Sequence, residues 1–458
     1  MIGTESYDMN YTIGDTCGVG IPLAPVMRNV GILLGIVFTS MFFFPFSTVY
    51  FPALNTKMII AAAGLTVLCF DLSQNGYARV NRDFITISGI ALFISIISFT
   101  SIVVNSTYDT SYLTYLFSMW TWLGAAYFVV FWIRQVHGEC STLLIALYLA
   151  GASVLQCLLA IIIVWSPSFH NFVDKMLATE GFMGRAPGRL YGIGCALDVA
   201  GAKFAAVIVI MTFMIPEFCR RFQKIRSLLL YAVCGCVVFA IGCIIGRTTL
   251  LGVALSLPVL LYYLLSGFAN PQGGKDNVAR FMFILFCCII VFSLLMYVMY
   301  QTNEIWRRQL RFGFEGFFNL IETGEWKIKS NSQLMGQFIF PDNISSWIIG
   351  DGYFVGIQSN PYYVGPDLPS DFYKGTDVGY SRLIFYFGLS GMIAFVIFMA
   401  ACTLLSVRYM PQYRWMFFTL LSLAFLYWAK VASDMFPVFA PFLAAGMTKP
   451  MSLSENAE

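Results

Sequence analysis

The charged residues that could do chemistry in this chain are few and clustered. Arg185 and Arg189 lead into an apolar run that carries Asp198 and Lys203, and then into a basic patch, Arg220-Arg221-Phe222-Gln223-Lys224-Ile225-Arg226. After one more apolar run stands a lone arginine in Gly246-Arg247-Thr248-Thr249. Arg307, Arg308 and Arg311 follow a later run, and Arg382 directly precedes another. A charge inside or at the rim of a membrane span costs about 2.5–3.5 kcal/mol on the insertion scale unless it meets a wet or paired site, so charges kept there are functional candidates. Arginine suits phosphate better than lysine, because its rigid fork donates two hydrogen bonds at once. Glu304 with Arg308, and Arg311 with Glu315, have the i,i+4 spacing of ordinary ion pairs on a surface helix. Arg185, Arg189 and Arg247 have no carboxylate three or four residues away. They point to capture of a phosphate or diphosphate group.

Asp198 and Lys203 are five residues apart, so on a helix they diverge by about 140°. One reading makes them a structural ion pair. In the other, Asp198 lines a cavity beside the arginines, as a base or as an organiser of their geometry. Gly192, Gly194 and Gly201 around it suit close helix packing and irregular backbone.

The elements that must position these groups are membrane helices. Of 458 residues, 59% are apolar and 11% charged, against about 25% charged in a soluble chain, and mean hydropathy is +0.75. The apolar residues fall into runs close to the ~20 that a spanning helix needs. There are about twelve: 30–50, 53–71, 84–104, 113–134, 141–165, 191–215, 227–245, 249–266, 281–300, 383–406, 415–430 and 432–447. The fold class is therefore all-α integral membrane, with one large extracytoplasmic loop between the ninth and tenth spans. Three regions follow: an N-terminal bundle over 1–300, the loop over 301–382, and the C-terminal helices and tail over 383–458. Residues 1–29 lack the charged start, short apolar run and cleavage site of a removable signal peptide.

Thirteen lysines and arginines lie in segments on the side of the N-terminus, against six in short segments on the other side: Lys57, Lys175, Arg185, Arg189, Arg247 and Lys430. That bias places both termini in the cytoplasm and the long loop outside. The twelve cysteines form no disulfide framework, the loop holds none, and His137 and His170 are isolated. No metal site, cofactor or nucleic-acid partner is expected. The loop is rich in aromatic residues, among them Trp306, Phe312, Trp326, Trp347, Tyr353 and Tyr373, and carries Asp342, Asp351, Asp367, Asp371 and Asp377. A mere connector would be rich in Gly and Ser. Rings with interspersed carboxylates suit sugars, whose C–H faces stack on rings while their hydroxyls bond to polar side chains.

The order of these features resembles the bacterial O-antigen polymerase and O-antigen ligase superfamily. The stretches that carry the likeness are Arg189-Leu190-Tyr191-Gly192-Ile193-Gly194 followed by Asp198, then Gly246-Arg247-Thr248-Thr249-Leu250-Leu251-Gly252, then Ile348-Ile349-Gly350-Asp351-Gly352-Tyr353. Gly375-Thr376-Asp377-Val378-Gly379-Tyr380 and Gly388-Leu389-Ser390-Gly391 complete it, so the pattern covers roughly 180–400. The resemblance implies a twelve-helix enzyme of the bacterial inner (cytoplasmic) membrane with a large periplasmic loop. It also implies an undecaprenyl-diphosphate-linked glycan as donor, arginines holding the diphosphate, and no nucleotide sugar or metal. Arg189 and Arg247, with Arg185, are then the diphosphate ligands, and Arg311 and Arg382 are further candidates. Ligases carry a loop histidine upstream of the closing helix, whereas this loop has none and shows Thr376-Asp377 at the similar place. A repeat-unit polymerase is the expectation, with Asp377, Asp351 and Asp198 as candidate bases and a chain-length regulator as a candidate partner. The alternatives are a ligase that hands the glycan to lipid A core and a lipid-linked sugar flippase. The flippase usually shows two similar halves, which this chain lacks.

Overall fold

Each of the twelve apolar runs contains a helix, the conformation in which a single segment satisfies its own backbone groups. The computed structural model describes residues 25–74, 82–177, 189–269, 275–356 and 372–448. In chain order the helices are α1 (Pro25–Phe43), α2 (Thr56–Gln74), α3 (Arg82–Asn105), α4 (Tyr115–His137), α5 (Thr142–Trp165), α6 (Pro167–Met176), α7 (Leu197–Arg221), α8 (Ile225–Ile245) and α9 (Thr249–Ala269). They continue with α10 (Lys275–Thr302), α11 (Glu304–Gly313), α12 (Glu315–Thr323), α13 (Lys329–Met335), α14 (Ile344–Ile348), α15 (Gly379–Tyr409), α16 (Arg414–Trp428) and α17 (Phe436–Met447). A small hairpin, β1 (Ser47–Thr48) with β2 (Phe51–Asn55), joins α1 to α2. Among the described residues, eight helices are long and apolar enough to cross a membrane, and Thr249–Leu265 and Phe436–Met447 are shorter apolar helices. The chain is an all-α, multi-pass membrane protein.

The bundle has two distinct ends. At the one that holds the first and last described helix termini, an Arg134 Nη donates to the Ala445 carbonyl at 3.3 Å and to Thr448 at 3.1 Å, and Arg221 pairs with Glu139 at 2.6 Å. At the other end, the start of α7, the α8–α9 turn, the start of α15 and the α16–α17 turn converge. Between the two ends lies an apolar core, in which α17 is buried on every side.

Two segments start later than their hydropathy indicates. The run 191–215 becomes helical only at Leu197, because Gly192 and Cys195 bridge to each other in a tight turn. The run 432–447 becomes helical only at Phe436. Residues 429–435 instead make a turn in which Asp434 accepts the Phe436 N–H at 2.8 Å and the Tyr115 hydroxyl at 3.1 Å.

The stretch between α10 and α15 is built of short helices rather than open loop. Asn303 starts α11 by accepting the N–H groups of Ile305 at 2.9 Å and Trp306 at 3.3 Å, as an N-cap should. The helix then buries Trp306, Gln309, Leu310 and Gly313. It ends at Gly313, so Arg311 and Glu315 stand on different helices and the i,i+4 pair expected between them does not form.

α15 is broken near its start. Phe387 (φ −136°, ψ 18°) and Gly388 (φ 67°, ψ −170°) leave helical geometry, and the carbonyls this frees need donors. The segment after α14 supplies them: Asp351 N–H donates to the Phe385 carbonyl at 2.6 Å and Gly352 N–H to the Tyr386 carbonyl at 3.2 Å. Ser101 of α3 also donates to the Tyr386 carbonyl, at 2.7 Å. Irregular backbone inside a membrane protein survives only with such cover. Gly388 is required twice over, by its positive φ and because a Cβ there would strike the Ile348 carbonyl. Gly388→Ala should therefore destabilise the protein by about 1–3 kcal/mol. Gly89→Ala, where a Cβ meets nothing within 4 Å, should leave stability unchanged or slightly higher. Thermal unfolding in detergent measures both.

Candidate functional site

The charged end is assembled through glycine. A Cβ on Gly201 would collide with the Thr248 hydroxyl and lie 2.9 Å from the Gly246 carbonyl, and one on Gly246 would lie 2.5 Å from the Leu197 carbonyl. The first turn of α7 and the α8–α9 turn therefore meet backbone to backbone, which sets Asp198 beside Thr248, the residue after Arg247. Thr248 Oγ1 approaches the Asp198 carboxylate at 3.4 Å, and Lys430, from the α16–α17 turn, pairs with that carboxylate at 3.0 Å. The Tyr427 hydroxyl donates to the Asp198 carbonyl. Asp198 and Lys203 do not pair. The Lys203 ammonium instead donates to the Phe43 carbonyl, near the rings of Phe43, Phe44 and Trp122. On a helix, five residues of separation turned them to different partners.

Arg189 and Arg247 share one ring. Their guanidinium carbons lie 4.6 Å and 4.4 Å from the centre of Phe312, the first contributed by the segment before α7 and the second by the α8–α9 turn. Arg247, with a side chain only 12% exposed, also pairs with Glu315 at the start of α12. Burial pushes the Arg189 guanidinium's pKa below its ordinary value, the Arg247 charge pushes it the same way, and Asp198 opposes both. Two guanidiniums near one another on a shared ring concentrate positive charge. Arg185, the third arginine of the sequence pattern, lies outside the described residues.

Asp377 sits in the segment entering α15. It is half-buried, and among the described residues no hydrogen bond or ion pair reaches its carboxylate. It does not cap α15: the capping position is Val378, and it is the Thr376 hydroxyl that accepts the Val378 N–H, at 3.1 Å. Burial raises the Asp377 pKa above the usual carboxylate value; Asp198 raises it further, while Arg382 and Lys430 pull it down. The carboxylate thus lies within electrostatic reach of the Asp198–Lys430 pair and of Arg382.

The remaining candidates are placed differently. Both oxygens of Asp351 are engaged, one by Ser346 and the other by the Tyr373 hydroxyl at 3.1 Å. Tyr373 stacks on Tyr353 at 5.2 Å. Asp351 therefore orders the segment that covers the α15 break. Arg382 is 6% exposed, held between the rings of Phe354 and Phe372 at 3.9 Å and 3.8 Å, with one Nη donating to the Phe354 carbonyl at 3.1 Å. Its charge acts on Asp377, pulling that carboxyl's pKa down. Arg311 is exposed and grips Glu322 with one nitrogen at 2.6 and 2.7 Å, away from the arginine pair. Three participants take roles that the sequence does not suggest: Phe312 reads there only as one of many rings, Glu315 as the i,i+4 partner of Arg311, and Lys430 as one more loop charge.

Among the described residues no three of His, Cys, Asp and Glu converge as metal ligands. Comparison with protein-family models, curated proteins and solved structures finds no match to this chain. What the arrangement can do chemically therefore rests on its own geometry. An arginine pair can hold a multiply charged oxyanion, and an unpaired carboxylate with a raised pKa can take a proton. The two neighbouring charges should move the Asp377 titration in opposite directions. Lys430→Gln removes a charge that lowers its pKa and should shift the protonation midpoint up; Asp198→Asn removes one that raises it and should shift the midpoint down. Infrared titration of the protein with isotope-labelled aspartate, using Asp377→Asn to assign the band, reads both shifts.

Proposed function

We propose that the protein is a glycosyltransferase that joins undecaprenyl-diphosphate-linked oligosaccharide repeat units into an O-antigen-like or capsular polysaccharide at the periplasmic face of a bacterial inner membrane. The observation that carries this reading is the Arg189–Phe312–Arg247 arrangement, within reach of the same Asp198–Lys430 pair that acts on Asp377. In this reading all twelve apolar helices span the membrane, both termini are cytoplasmic, and the segment between α10 and α15 lies outside. A cavity of about 560 Å³ supports it further. Its wall is almost wholly apolar, between α8, α10 and the α11–α12 pair, and includes Phe239, Phe292, Met296, Phe314 and Phe317. Phe314 is two residues from Phe312, so a polyprenyl tail in the cavity would carry its diphosphate toward the arginines.

The acceptor hydroxyl oxygen attacks the anomeric carbon of the donor, and the bond from that carbon to the diphosphate oxygen breaks. Asp377 takes the hydroxyl proton, and polyprenyl diphosphate leaves. Arg189 and Arg247 stabilise the charge that grows on the leaving group, which is the largest contribution expected in such a site. The carboxylate base adds roughly 10²–10⁴-fold. Asp198, tied to Lys430 and Thr248, holds the arginine side in place.

Purified protein with lipid-linked repeat units tests the chemistry. Arg247→Lys should lose nearly as much turnover as Arg247→Ala, because lysine keeps the charge that pairs with Glu315 but not the fork that grips a diphosphate. Full polymer length from Arg247→Lys would reduce Arg247 to a structural partner of Glu315. Asp377→Asn should bind donor normally and yield little product; wild-type yield would remove the base assignment.

The surface-glycan ladder of a deletion strain separates the alternatives. Loss of a polymerase leaves one repeat on the core, loss of a ligase leaves bare core with lipid-linked polymer, and loss of a flippase leaves repeat units inside. Labelling of Ser332→Cys, in exposed α13, by an impermeant reagent checks the orientation; protection from the outside would reverse it.

A further inference from the structure

A second cavity, larger than the apolar one beside Phe314, is at the other end of the bundle. It measures about 990 Å³ and is walled by the C-terminal half of α7, by α9, by the α15–α16 turn and by the starts of α5 and α16. Two helix-interior prolines, Pro216 and Pro258, are in its wall. Each removes a backbone donor and crowds the preceding turn, so neighbouring helices cannot close together there. Tyr262 and Trp415, 66% and 64% exposed, stand at its open rim. Aromatic residues of this kind mark the headgroup level of a bilayer.

The wall is graded from one end to the other. Glu217, Arg220, Gln412 and Tyr413 lie toward the end of the bundle, while Phe213 and Val259 lie a turn or more deeper along their helices. Polar at the surface and apolar within is the profile of a lipid, head outward and chain inward. A void of this size beside hydrocarbon does not stay empty, since its walls would forgo the dispersion contacts that fill protein interiors. Headgroup chemistry follows from the charges in the wall, one carboxylate and one guanidinium. Glu217 and Arg220 bond to each other, so a ligand that comes between them must offer each a partner of opposite sign. An anionic headgroup would satisfy Arg220 and meet Glu217 with like charge. A headgroup that carries both a phosphate and an ammonium satisfies the two together. The rings of Tyr262, Tyr263 and Tyr413 around the cavity add faces that attract an ammonium, while Trp415 already carries the Arg414 guanidinium at 5.4 Å.

We propose that this cavity binds an amino-phospholipid, its phosphate on Arg220 and its primary ammonium on Glu217 and the surrounding rings. The proposal is independent of the glycosyl-transfer reading, because it concerns the opposite end of the bundle.

Native mass spectrometry of the full chain released from nanodiscs of equal phosphatidylethanolamine and phosphatidylglycerol tests it. The wild type should retain phosphatidylethanolamine over phosphatidylglycerol by about fivefold. Glu217→Gln should bring the retained lipids to the bulk ratio without reducing their number. Val259→Trp, which fills the apolar depth and leaves both charges, should lower the number retained. A wild-type ratio equal to bulk, an excess of phosphatidylglycerol, or an unchanged preference in Glu217→Gln would each overturn the proposal.

Discussion

A guanidinium taken out of water must be compensated, and how Arg247 is compensated sets the layout of the charged end. Its side chain has little solvent left, so it needs a partner, and the partner comes from 68 residues away in Glu315. A pair of this kind contributes little net stability, because desolvating both charges offsets most of their attraction. It contributes register. Glu315 fixes the start of α12 over the α8–α9 turn, and Phe312 in the preceding helix then lies against both Arg247 and Arg189. The short helices α11 and α12 are positioned by the charge they cover.

The break in α15 is the second anchor. A helix that loses its internal bonds exposes carbonyls, and the segment 350–352 supplies N–H groups to Phe385 and Tyr386. The same segment is braced by Asp351, through Ser346 and Tyr373. At the top of the broken helix, Arg382 is clamped between Phe354 and Phe372. Asp377 is thus carried on a short stretch with braced flanks, and among the described residues its own carboxylate is left without a bond. Rigid surroundings around one unpaired group are what a reacting residue needs.

Much of the fold is legible in the sequence, because spanning helices are written as contiguous apolar runs. Where the boundaries slip, a local polar contact decides: Asp434 delays α17, and the Gly192–Cys195 bridge delays α7. The site is legible only as a set of arginines and carboxylates. Asp198 with Lys430, and Arg247 with Glu315, are pairings over 232 and 68 residues, and no local spacing rule reaches that far. Where a short-range rule did offer a partner, as for Arg311 with Glu315, a glycine-terminated helix turned the glutamate away. The engagement of Asp351 was equally hidden, since Ser346 and Tyr373 bond to it only once the segment has folded.

Within the proposed reaction, the two carboxylates divide their work by what surrounds them. Asp198 has a lysine on its carboxylate, a threonine hydroxyl beside it and a tyrosine on its backbone, contacts that hold it in place. Asp377 has none of these, and burial together with the Asp198 charge raises its pKa. A carboxyl that burial makes reluctant to ionise is the one suited to take up a proton. Asp198, held by its contacts, organises the arginine side, where a diphosphate must be held through the whole reaction. Its charge acts on Arg189 and on Asp377 alike, and so couples how firmly the leaving group is held to how readily the proton is taken.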